Sequence, residues 1–147
     1  MTFYEALLDY QKQLERNTGL LTILAPTTLK SAEPTIKVAV RKPIVSRNSM
    51  YRGASAQLER HLKLVVSLDG SIISDEGTAN FLEASDVLQT YMAEGIRNLE
   101  NAAGAAIPNT RIVMTPDEND SVMDDPESDE KAWYNDVFYV EITLPPR

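Results

Sequence analysis

Cysteine is absent from this 147-residue chain, which excludes disulfides, thiolate metal centres and a cysteine nucleophile. The compartment stays open, although a cysteine-free chain suits a reducing one. Histidine occurs once, at His61. General acid–base catalysis would need a partner within hydrogen-bond reach of that ring, and the sequence singles out none. There is no Gly-x-Ser-x-Gly elbow and no glycine-rich phosphate loop. No stretch approaches the roughly 20 apolar residues of a membrane span, so no membrane partner is expected. Residues 1–15 carry Glu5, Asp9 and Glu15 where a secretory leader would be basic and apolar. These absences point away from an enzyme and away from any cofactor or metal.

What the chain does have is charge of opposite sign in two places. Residues 117–136 hold nine acids: Asp117, Glu118, Asp120, Asp124, Asp125, Glu127, Asp129, Glu130 and Asp136. Lys131 is the lone base among them, so this stretch carries the whole formal charge of −8. Residues 37–63 lean the other way, with Lys37, Arg41, Lys42, Arg47, Arg52, Arg60 and Lys63 against Glu59. A chain with one positive and one negative segment presents two opposite patches, which suits head-to-tail contact between copies as well as attraction to a charged ligand.

Hydrophobic content of 43% is ordinary for a globular protein, and the length suits a single domain over 1–147. Thr2-Phe3-Tyr4-Glu5 has the form of a capping box. Phe3, Leu7, Tyr10 and Leu14 follow at helical spacing, predicting a helix over 3–17 that stops at Gly19. Residues 20–24 read either as a short strand or as an apolar lead-in. Ile36, Val38 and Val40 alternate with polar neighbours as a half-buried strand, which Pro43 ends or places at an edge. Leu62, Leu64, Val66 and Leu68 repeat that pattern, and Asp69-Gly70 reads as a turn. Asn80 with Glu83 can open a second helix. Its stripe is Phe81, Ala84, Leu88, Met92, Ile96 and Leu99, and it should end near 102–104, with Gly95 inside it. Residues 111–115 and 137–144 alternate again.

The expected fold is therefore α+β: a two-layer sandwich in the order α-β-β-α-β-β. Its mainly antiparallel sheet has about four strands, with two helices on one face. Two long excursions, about 43–58 and 117–135, read as exposed hairpin arms. Asp117, Asn119 and Ser121 imitate the start of a calcium loop, but Val122 replaces its turn glycine and Ser128 its bidentate acid. A solvated or partner-facing acidic loop fits better. The basic stretch has only Tyr51 as a stacking aromatic, where single-strand binders interleave more. Trp133 can anchor an interface or simply open the last strand.

This order of elements resembles the tail terminator and tail completion (head–tail joining) proteins of tailed bacteriophages. In that family a helix precedes a hairpin with a long arm, a second helix covers the sheet, and a strand pair follows. The matching parts here are 3–17, 36–68 with its arm at 43–58, 81–101, and 111–144 with the acidic arm. The resemblance covers nearly the whole chain and is one of pattern. It implies a virion structural protein, also found in the host or prophage-bearing cell's cytoplasm during assembly. Such a protein forms an oligomeric ring, commonly a hexamer, that halts tail-tube growth and joins head to tail. Its partners would be further copies, tube proteins and connector proteins, with DNA met only in non-specific passage. The interface candidates are Arg41, Lys42, Arg47 and Arg52 on one side, and Asp117, Glu118, Asp120, Asp124, Asp125 and Trp133 on the other. Three rivals stay open: an acidic adaptor for a basic protein, a nucleic-acid module using 37–63, and a hydrolase using His61.

Overall fold

The computed structural model describes residues 1–25, 33–47, 58–71, 75–115, 122–123 and 133–145. Helix α1 spans Phe3–Thr18. Thr2 caps it by accepting the Glu5 amide at 3.1 Å, which satisfies one of the orphan donors of the first turn. Gly19 ends it at φ 71°, where its amide donates to the Glu15 carbonyl at 2.9 Å. A residue with no Cβ adopts that left-handed angle without strain. The helix buries Ala6, Tyr10, Gln13 and Leu14.

The sheet is mixed and larger than the expected four strands. Strands β1 (Thr22–Leu24), β2 (Thr35–Arg47), β3 (Leu58–Ser71), β4 (Arg111–Thr115), β5 (Val122–Met123) and β6 (Trp133–Thr143) take the order β1-β2-β3-β6-β4, with β5 also on β6. The apolar lead-in at 20–24 becomes β1, which runs parallel to β2. All other pairings are antiparallel.

Alternation decides the faces. Leu62, Leu64, Val66 and Leu68 on β3 are buried, together with Ile36, Val38, Val140 and Ile142 on its neighbours. They form one cluster with Tyr10 and Leu14 of α1 and with Phe81, Ala84, Leu88 and Met92 of α2. The helices therefore cover one face of the sheet. The other face carries Lys37, His61, Lys63, Tyr139 and Glu141, all half-buried.

Several boundaries differ from the expectation. Strand β2 continues through Pro43 to Arg47, paired with β3 throughout. Pro43 is tolerated because β1 reaches only Val38, so this part of β2 has β3 on one side and no second paired strand among the described residues. A bulge between Val40 and Lys42 adds Arg41 as an extra residue. The excursion read as a hairpin arm from 43 to 58 is paired as a ribbon up to Arg47 and again from Leu58, and residues 48–57 lie outside the described residues. Asp69 and Gly70 lie inside β3 rather than in a turn. A Cβ at Gly70 would stand 2.9 Å from the Phe81 ring, so the glycine admits α2 close to the strand.

Helix α2 runs Asp75–Ala93. It starts five residues before the expected cap, leaving Asn80 inside it, and stops before 102. Gly95, at φ 98°, lies beyond the helix rather than within it. Residues 94–110 fold back on α1 instead. Gln13, 1% exposed, donates to the Asn98 carbonyl at 3.1 Å and accepts the Glu100 amide at 2.8 Å. Thr110 accepts the Leu99 amide at 3.0 Å. Leu99 still reaches the core, while Ile96 is exposed. The apolar stripe was correct as far as Met92 and then continued by coincidence of spacing.

Candidate interface surfaces

The two charged segments leave the sheet at opposite ends of β3. The basic segment departs where Arg47 pairs with Leu58. The acidic residues 124–132 lie in sequence between Met123 and Trp133, and Trp133 pairs with Ser71. These points are separated by the length of β3, 14 residues, or roughly 43 Å at about 3.3 Å per residue. At that distance, several Debye lengths at physiological salt, charges anchored at the two points scarcely feel each other within one copy.

Of the candidate interface residues, Arg41, Lys42 and Arg47 are placed and exposed. Arg41, the bulge residue, lays its guanidinium 4.4 Å from the centre of the Tyr139 ring, on the sheet face away from the helices. Contact at that distance is a cation–π interaction. Lys42 lies opposite Lys63. Trp133 opens β6 by its backbone. Arg52, Asp117, Glu118, Asp120, Asp124 and Asp125 lie outside the described residues.

Three members of the charged segments do not serve as patch residues. Arg60 is 5% exposed. It donates from Nη1 to the Met1 carbonyl at 2.7 Å and from Nη2 to the Pro145 carbonyl at 3.0 Å, so it ties the two ends of the described chain together. Lys37 pairs with Asp69 at 3.4 Å. Asp136 turns inward opposite Leu68, where it accepts the Ser85 hydroxyl of α2. Gln89 donates to that same hydroxyl oxygen at 2.8 Å. The alternation of β6 carried the signal for Asp136, because it shares the face of Val140 and Ile142.

His61 does have neighbours, which sequence spacing alone did not reveal. Its Nδ1 lies 3.1 Å from Glu141 and 3.2 Å from the Thr143 hydroxyl, and its Nε2 lies 3.5 Å from Glu59. A nucleophile–histidine–acid relay needs hydroxyl and carboxylate on different ring nitrogens. Here both meet Nδ1, and Nε2 faces a second carboxylate. The cluster is a set of polar contacts on the sheet face away from the helices, across to Glu141 and Thr143 of β6 and along β3 to Glu59, and not a relay. Among the described residues no group of three or more His, Asp or Glu side chains is placed to hold a metal ion. No helix of the described residues is long and apolar enough to cross a membrane.

Two apolar features escaped the sequence reading. On the β2–β3 ribbon, Val45 is 55% and Leu58 39% exposed. The register sets Arg47 against Leu58 and Val45 against Arg60, so Val45, Arg47 and Leu58 share one face. At the far end of the sheet a cleft of about 370 Å³ opens between the α1–β1 connection and α2. Leu20, Leu21, Pro34 and Val87 supply its apolar lining, and Glu33 and Glu83 its carboxylates. Val45 fell within the expected arm, Leu21 within the undecided stretch 20–24, and Val87 off the stripe of α2, so periodicity gave no reason to single them out.

No protein-family model matches the chain, and no curated protein does. One solved chain, known by a sequence identifier that states no function, aligns with a TM-score of 0.52. The match covers 100% of this chain and 99% of its own, at 12% identity. A likeness at that identity shows the fold alone: α+β, with two helices on a mixed, open sheet.

Proposed function

We propose that this chain is a structural virion protein of the tail terminator or tail completion kind, forming a ring at the end of the tail tube that stops polymerisation and joins head to tail. The observation that supports this reading best is the position of the two charged segments, at opposite ends of one long strand. A ring of identical copies needs two different surfaces on each copy, complementary to each other and not to themselves. A basic ribbon at one end and an acidic segment leaving the other meet that requirement. The coarse arrangement, two helices on one face of an open α+β sheet, supports the reading at the level of fold class alone, since strand number and order differ from the expected α-β-β-α-β-β. Further copies, tube proteins and connector proteins are the partners, and DNA is met only in passage.

Light scattering after size exclusion, in low and high salt, followed by negative-stain imaging of any large peak, tests the proposal. A closed ring of about six copies is expected, and it should weaken as salt shortens the Debye length from about 10 Å at 0.1 M to about 3 Å at 1 M. A monomer at every salt, with tight binding to a basic protein, would instead support an acidic adaptor.

A further inference from the structure

We infer that the face of the β2–β3 ribbon bearing Val45, Arg47 and Leu58 seats in the Leu21–Val87 cleft of a second copy of this chain. The inference rests on the ring reading and gives its contact a residue-level form.

Three observations carry it. The first is chemical fit. The ribbon face is apolar at Val45 and Leu58 and cationic at Arg47. The cleft is apolar at Leu21 and Val87 and anionic at Glu33 and Glu83. Apolar side chains leave water on both sides while charges of opposite sign meet at the rim, the usual anatomy of a specific interface. The second is position. The ribbon lies at the Arg47 end of β2, and Glu33 and Pro34 immediately precede its Thr35 end. Twelve residue steps separate those ends, or roughly 40 Å, so no single copy can fill its own cleft with its own ribbon. The third is exposure. Val45, Leu58, Leu21 and Val87 are four of the nine exposed large apolar side chains among the described residues, two on the ribbon face and two at the cleft. Two unlike patches on one chain define a heterologous contact, which propagates from copy to copy until it closes.

The absence of native cysteine makes the test direct. Val45→Cys and Val87→Cys are prepared singly and together, with circular dichroism confirming that each folds. A disulfide or short thiol crosslinker joins only close pairs, with Cα atoms less than about 7 Å apart for the disulfide. At about 0.1 mM chain, where contacts with Kd below that value are populated, the mixed single variants should give a crosslinked dimer. The double variant should give a ladder of higher species. Arg47→Glu should reduce the crosslink at least about tenfold, and adding Glu83→Arg should restore much of it. Crosslinked homodimers of Val45→Cys alone or Val87→Cys alone would mean a self-complementary face and would overturn the inference. A wild-type ring without any 45–87 crosslink would overturn it while leaving the ring reading standing. A wild-type monomer with no crosslink at that concentration would overturn both.

Discussion

Tyr10 is fully buried, and its hydroxyl has no hydrogen-bond partner among the described residues. Burial, and then the neighbouring Tyr91, push its phenol well above the ordinary range, so it stays protonated and unpaired. Deleting a buried hydroxyl that makes no hydrogen bond gives up no partner and removes its desolvation cost. Tyr10→Phe should therefore be neutral or raise stability by up to about 1 kcal/mol in urea unfolding. A loss larger than that would reveal a partner for the hydroxyl. Gly70 makes the opposite case. Gly70→Ala drives a methyl into the Phe81 ring and should cost about 1–3 kcal/mol. Because the clash belongs to the pair, adding Phe81→Leu should cost less than the two single changes summed. Glu100 is the residue that ties stability to pH. Its partial burial pushes the carboxyl up, but hydrogen bonds from Asn17 and Arg16 and the Arg16 charge outweigh that and hold it below the usual range. A depressed carboxylate stabilises the fold above its unfolded pKa, about 4.3, and that contribution vanishes as pH falls through the folded value. Glu100→Gln should flatten the acid limb of the stability curve. The change should stay below about 1 kcal/mol, because the Arg16 and Glu100 side chains are 35% and 26% exposed.

Among the elements, the segment 94–110 combines side-chain ties with two isolated backbone bridges, Arg97 with Ile112 and Glu100 with Ala106. Gln13 holds it through the Asn98 carbonyl and the Glu100 amide, and also donates to the Tyr91 hydroxyl of α2. Thr110 secures the Leu99 amide. Gln13→Ala should lower stability by about 1–3 kcal/mol, since it takes the partner from the part-buried Asn98 carbonyl and Glu100 amide. Hydrogen exchange should locate the damage, with the Glu100 and Ile107 amides losing protection and those of α2 near Leu88 keeping it. The same segment marks where the sequence stopped being legible. Helix α1 and the alternating parts of β2, β3 and β6 could be read because one local period sets both their conformation and their buried face. The end of α2 could not. Ile96 and Leu99 continue the helical spacing, and only the backbone angle at Gly95 separates a helix from a chain folding back. A glycine there reads equally as a tolerated interior residue or as a stop. The ribbon was hidden for a related reason. The bulge at Arg41 moves the core-side positions from Ile36, Val38 and Val40 to Pro43 and Val45, which breaks the alternation a sequence reading follows.

At the scale of the whole molecule, the points where the two charged segments join the sheet lie at opposite ends of β3. The opposite signs were legible from composition. Their separation was not, because it depends on β6 pairing with the far end of β3, a long-range choice that local periods do not encode. Even within the charged segments, sequence overstated the patches: Arg60 and Asp136 face inward and Lys37 is paired. Deleting residues 118–130 should leave the core cluster intact, with a cooperative unfolding transition, and should abolish assembly as read by light scattering. Unchanged assembly would remove the acidic segment from any interface. Arg41 bears on assembly in another way. Without it, Lys42 would follow Val40 in regular register and each ribbon residue would keep its partner on β3. What would go is the extra twist a bulge gives its strand, together with the brace against Tyr139. The chemistry of the ribbon face and its direction are thus set by different residues. In a closed assembly, direction fixes the angle turned per copy, so one residue would govern how many copies close the circle while leaving untouched how they hold one another.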